Sequence, residues 1–302
     1  MKITSIPLDK AVSDGPIDAF SHALLGDSPT LDEVLEYLAS RHAADPRYRY
    51  LCTLDDVGQC RYTSMHASDD ARIALYEDED PETPEGALAA RERLLAHVVA
   101  QLEHSSHRLE WSALAGTLMC SNEDIEALVA ANATPDLIVD EVVCVQQVPV
   151  DRDDLLIAAL PNGYFSADWD IFQNHALIRH LQEHHGYRLF GLGASWLGFQ
   201  RDSAPSPAQA NALVADLQRV YAAGTHDTWS KLAATLATRT TLLLGYTEDF
   251  SEQLPLAPLY TSERSERPAS APDLFSVVAA PGNCQGSCAM GSRGYPRHGW
   301  RG

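Results

Sequence analysis

Apolar residues recur at helical spacing in several stretches of the chain, and each stretch opens on a recognisable start signal. Leu31, Val34, Leu35 and Leu38 follow the order Thr30-Leu-Asp-Glu33. This is a capping box, in which each polar side chain accepts a hydrogen bond from the other's backbone N–H. A second box, Ser121 to Asp124, precedes Ile125, Leu128 and Val129. Leu88, Leu94, Leu95, Val98, Val99 and Leu102 make one face of a long amphipathic helix. Leu213, Leu217, Val220 and Tyr221 follow Ser206-Pro207, a cap and then a proline, and Gly224 closes that helix. Asp227 is expected to cap a further helix through Trp229, Leu232, Ala233 and Leu236.

Other stretches favour strands. Residues 48–54 and 59–65 are two β-prone runs around Asp55-Asp-Val-Gly58, so they are expected to form a hairpin. Residues 137–150 are rich in valine and isoleucine and are expected to be a strand, as is the short run 240–246. The run 155–160 is too short and too uniformly apolar for its period to decide between helix and strand. The N-terminal part is expected to open with short helices.

Residues 165–199 are the most informative stretch. Asp168 or Asp170 caps a helix running to about His185, and Gly186 stands where a left-handed residue ends it. Residues 187–199 follow as a strand, or as a strand and turn. The whole reads as an α+β protein, a mixture of helices and a sheet. It forms a single large domain or two lobes meeting near residue 150: an acidic α+β lobe at 1–150 and an α/β lobe at 151–259 with the helix–strand motif at its centre. Residues 260–302 are polar and rich in proline and glycine, with little to bury, and are expected to be a flexible tail.

Composition narrows the class. Apolar residues make up 45% and charged residues 21% of 302, which excludes a wholly disordered chain. No apolar run approaches the roughly 18 residues of a membrane helix, and the N-terminus lacks the apolar core of a secretory signal. Six cysteines, four of them scattered singly among apolar neighbours, are too sparse for a disulfide framework. A reducing cytoplasm is the expected setting, and Cys52 opposite Cys60 in the expected hairpin reads as coincidence. Abundant alanine and arginine with only three lysines is a compositional hint of a bacterial source.

The net charge of −20 is unevenly placed, with 27 acidic and 10 basic side chains in residues 1–150, a net of −17. Such a surface repels phosphate backbones, which argues against nucleic acid, and attracts basic proteins. The acidic segment 77–86 reads as a solvated connection leading into a helix. It lacks the D-x-[DN]-x-[DN]-G order of a calcium loop.

The sharpest chemical candidate is His180, Glu183 and His184. Two histidines four apart on a helix point the same way and can share one zinc ion, with Glu183 as general base toward a metal-bound water. The order H-x-x-E-H resembles the inverted zinc-protease signature over these five positions, a resemblance that implies His180 and His184 as ligands and Glu183 as the base. A third ligand is required, and Glu248 is the nearest downstream glutamate. Against this, Ile171, Leu177, Ile178 and Leu181 define the buried face, which places His180 and His184 on the wet face, at a helix end where cationic histidines suit the dipole. Asp168, Asp170 and His175 form a second constellation, for which helix capping and a hydrogen-bonded core histidine are the simpler roles. Gly191, Gly193 and Gly198 match neither a dinucleotide fingerprint nor a P-loop, Ser195 is not in a nucleophile elbow, and Cys284 and Cys288 lack a second zinc-ligand pair. The leading expectation is therefore a non-catalytic acidic binding protein, one concrete form being the neutralisation of a basic partner. The alternative is a metal-dependent hydrolase built on residues 180–184, with zinc as its cofactor.

Overall fold

The computed structural model describes residues 1–75 and 83–254. Its centre is one mixed seven-stranded sheet in an α+β fold. The strands are β1 (Lys2–Ser5), β2 (Ser21–Gly26), β3 (Arg49–Thr53), β4 (Val143–Val148), β5 (Arg188–Leu192), β6 (Trp196–Gln200) and β7 (Thr241–Gly245). Their order is β1-β2-β4-β3-β5-β6-β7. Neighbours are antiparallel except β3 and β5, which run parallel with Cys52 opposite Gly191. The sheet is thus continuous across residue 150, and the described residues fall in one compact unit, Met1–Ala257. The expected tail with Cys284 and Cys288, and residues 77–82 of the acidic segment, lie outside the described residues.

The helices are α1 (Leu8–Asp14), α2 (Leu31–Ala44), α3 (Val57–Ala67), α4 (Pro84–Glu103), α5 (Asn122–Ala133), α6 (Ile171–His185), α7 (Pro207–Tyr221) and α8 (His226–Leu236). Local chemistry sets several of these boundaries. Capping boxes close the starts of α2, α5, α6 and α7 at Thr30, Ser121, Asp170 and Ser206. Gly186 ends α6 in the left-handed region, with φ 71°. Strands β5, β6 and β7 are almost wholly buried, which is why their sequences are continuous apolar runs instead of alternating ones. Helix α5 packs on β7 and on α8, and α8 on α7. Among the described residues, no helix is long and apolar enough to cross a membrane.

Three expectations require correction. Residues 59–65 are not the second arm of a hairpin but part of α3. Asp56 caps that helix by accepting the Gln59 N–H at 2.9 Å, and Cys60, Thr63, Ser64 and Ala67 turn one helical face inward. Packing of that face outweighs the β preference of Tyr62 and Thr63. The N-terminus opens with a strand, not a helix: β1 and β2 flank α1, and β2 alternates buried and half-buried residues over only six positions. Residues 137–150 contribute only β4, after a 3-10 turn at Pro135–Ile138. The undecided run near 155–160 is a buried 3-10 helix, Asp153–Ala159, and residues 187–199 are the β5–β6 hairpin.

Candidate functional site

Among the described residues, two places concentrate chemistry. The first is at the C-terminal end of α6. Its apolar residues Ile171, Leu177, Ile178 and Leu181 are buried, which leaves the last turn to present histidines toward α7. His180 lies between two flat neighbours. Its ring stacks on Trp111 at 4.0 Å and on His184 at 4.5 Å, with interplanar angles of 11° and 14°. Its Nε2 is 2.9 Å from Asp216 Oδ2, and His185 Nε2 is 3.0 Å from the same oxygen. Arg219, one turn further along α7, donates to the other oxygen of Asp216 at 2.9 Å. One donor atom from each of His180, His185 and Asp216 lies within 4.8 Å of the others, and all three residues are half-buried.

The electrostatics of this trio balance burial against partners. Burial pulls the His180 imidazole below its ordinary pKa, outweighing the neighbouring carboxylate. Burial pushes Asp216 the other way, but the two imidazole contacts win and hold its carboxyl below the usual range.

The residues that converge are therefore His180, His185 and Asp216. His184 is exposed and stacks on His180 instead of joining the group. Glu183 is also exposed and borders a different depression of about 420 Å³ with Arg108, Arg152, Asp154, His175 and Arg179. Burial and the nearby Arg108 push the Arg179 guanidinium below its ordinary pKa, and it donates to the Leu109 carbonyl at 2.7 Å. Glu248 meets Asp168, whose carboxylate accepts its backbone N–H at 3.3 Å.

Asp168, Asp170 and His175 do not meet. Asp170 caps α6 and pairs with Arg72 at 2.7 Å. Burial, aided by Glu248, pushes Asp168 up to about 6. His175 is buried against Asp154, 3.3 Å away. Burial of Asp154 opposes its ionisation, but His175 and Arg152 hold its carboxyl down at about 2.

The glycines of the β5–β6 hairpin serve packing. A Cβ on Gly198 would sit 2.6 Å from the Phe190 ring, and one on Gly193 would meet Asp55 at 1.7 Å. Ser195 is buried, and its backbone N–H donates to Asp55 at 2.9 Å. Cys52, Cys60 and Cys144 are free and buried, and burial raises their thiols above the ordinary value, which leaves little reactive thiolate.

The second place is on the outward face of α3. Tyr62, Met65 and His66 are three and four apart, and His66 meets Tyr164 from the loop before α6, with Phe165 beside it. Ring centroids step from Tyr62 to His66 at 4.5 Å, His66 to Tyr164 at 4.8 Å and Tyr164 to Phe165 at 5.2 Å. These large side chains are exposed: Tyr62 by 48%, Met65 by 58%, Tyr164 by 47% and Phe165 by 49%. Beside them lies a depression of about 280 Å³ bordered by Asp69, Asp70 and Asp170. Arg72 pairs with Asp70 and Asp170, while the Asp69 carboxylate is exposed and has no side-chain partner among the described residues. Sequence spacing does not reveal this surface, because the Tyr62–His66 pair falls in a stretch whose composition favours a strand, where residues four apart would not meet.

No protein-family model, curated protein or solved structure matches this chain.

Proposed function

We propose that the chain is a non-catalytic binding protein that captures a basic protein through the aromatic face of α3 and residues 163–166. The observation that carries this reading is the run of contacting rings Tyr62, His66, Tyr164 and Phe165, three of them exposed, beside three carboxylates, two of which pair with Arg72. Contiguous exposed apolar surface is uncommon unless a partner covers it. Tyrosine rings accept arginine and lysine heads over their faces, and the neighbouring carboxylates bond the same groups. The net charge of −20 draws such a partner in at long range and speeds the encounter. Free, buried cysteines suit a reducing cytoplasm as the place of action. Neutralising a basic protein is the form of binding these features favour.

The test is calorimetric titration of the full chain with an arginine-rich peptide. The expected result is that Tyr62→Ala with Tyr164→Ala weakens binding at least about tenfold, the scale of losing two aromatic anchors. Asp69→Asn is expected to slow association and to reduce the salt dependence. Both tyrosines project into solvent, so the far-UV circular dichroism of the double variant should match that of the parent. Unchanged affinity in the double variant would remove this face from the account.

A further inference from the structure

The end of α6 carries a second, independent property. We propose that His180, His185 and Asp216 bind one divalent transition-metal ion of the zinc class, clamping α6 to α7. The donor set is two imidazole nitrogens and one carboxylate oxygen, a combination that suits zinc, cobalt and nickel far better than calcium or magnesium. The atoms are already gathered. Each Nε2 stands 2.9 or 3.0 Å from Asp216 Oδ2. Ligands about 2.0–2.1 Å from a tetrahedral zinc are about 3.3 Å apart, so the oxygen and each nitrogen need separate by only a few tenths of an ångström. The outer contacts fix the ligands in place. Arg219 bonds the second oxygen of Asp216, and Trp111 and His184 hold the His180 ring from its two faces. Metal sites rely on such supporting groups to orient their ligands. Three protein donors leave a fourth position for water.

The arrangement also explains why the two histidines are five apart. His180 and His184 are neighbours on one helical face, but their rings stack parallel, and the carboxylate of α7 lies between His180 and His185 instead. Glu183, the base of the H-x-x-E-H reading, borders the depression with Arg108 and Arg179. The role proposed for the ion is to join α6 to α7, apart from the binding face on α3.

The test uses the full chain and zinc chloride in a buffered zinc series, with cobalt(II) absorption as the reporter of a tetrahedral site. The parent is expected to bind one equivalent with sub-micromolar affinity and to show a raised melting temperature with zinc. His185→Gln and Asp216→Asn are each expected to weaken binding at least about a hundredfold. His184→Gln removes one stacking support of the His180 ring and no ligand, so it is expected to weaken binding by no more than about tenfold, well short of the loss with His185→Gln, which separates this trio from the H-x-x-E-H pair. The double variant Cys284→Ser with Cys288→Ser is expected to bind as the parent does. Circular dichroism in the absence of metal confirms that each variant is folded. Three results would overturn the site: no bound equivalent in the parent, loss with His184→Gln but not with His185→Gln, or loss confined to the cysteine variant.

Discussion

Replacing Asn132 with leucine lowers the stability of the folded chain by about 3 kcal/mol, a large effect for one side chain. Asn132 lies on α5 and is 2% exposed. Its amide treats the outer edge of β7 as a neighbouring strand would. The Leu243 N–H donates to Asn132 Oδ1 at 2.9 Å, and Asn132 Nδ2 donates to the Leu243 carbonyl at 2.8 Å. A second bond from Nδ2 reaches the Leu128 carbonyl at 2.8 Å and holds the amide in plane with the strand. Among the described residues β7 is the last strand in the sheet, so Leu243 has no further strand there to pair with on that side. Leucine keeps the branching pattern, with two bulkier methyl groups in place of the amide oxygen and nitrogen, but leaves both backbone groups of Leu243 buried without partners, at about 1–3 kcal/mol each before relaxation. Urea unfolding should show a lower midpoint with an unchanged slope. A midpoint within error of the parent would mean that water or a shifted backbone satisfies the edge instead.

The second large effect is on the pH dependence of stability, through Asp55. This residue follows β3 and reaches under the β5–β6 hairpin. It binds both the Ser195 N–H, through Oδ2 at 2.9 Å, and the Ala194 N–H, through its own carbonyl at 3.1 Å. The residue as a whole is half-buried, but its Oδ1 is sealed from water and has no hydrogen-bond partner among the described residues. Burial pushes the carboxyl up to about 7, against the help of the backbone donors. In the unfolded chain the same group titrates near the ordinary value of about 3.9. The folded state therefore binds the extra proton between about pH 4 and 7, and stability falls as pH rises through that window and levels off above it. A rise of this size is worth at most about 4 kcal/mol. Asp55→Asn cannot ionise, so its stability relative to the parent should improve by about 2–4 kcal/mol between about pH 4.5 and pH 8. Asp154, held at about 2, titrates below this window and does not mask the effect. A stability difference that stays constant over this range would contradict the assignment.

These sites show how far local sequence carries. Helices α2, α5, α6 and α7 were legible because their start signals are written within four residues: Thr30 to Glu33, Ser121 to Asp124, Asp170 to Gln173, Ser206 to Gln209. Gly186 marked the end of α6 for an equally local reason. Helix α3 was not legible, because Tyr62 and Thr63 favour strands and only packing of Cys60, Thr63, Ser64 and Ala67 decides the matter. Strands β1 and β2 were too short for alternation to stand out.

The candidate sites divide in the same way. The histidine-rich turn was visible, but the i, i+4 rule selected His184, whereas the carboxylate that gathers the group is Asp216, which only the fold brings there from α7. Tyr164 meets His66 across about a hundred positions, and no spacing rule could join them. The edge bond from Asn132 to Leu243 is equally long-range, spanning 111 positions.

The most direct measurement for the binding role is a residue-resolved NMR titration of the full chain with the arginine-rich peptide. The account predicts that the largest amide shifts cluster at Tyr62, Met65, His66, Asp69, Tyr164 and Phe165 and saturate together. Shifts spread evenly over exposed acidic residues such as Asp32 and Glu36 on α2, or centred on any other face, would contradict it.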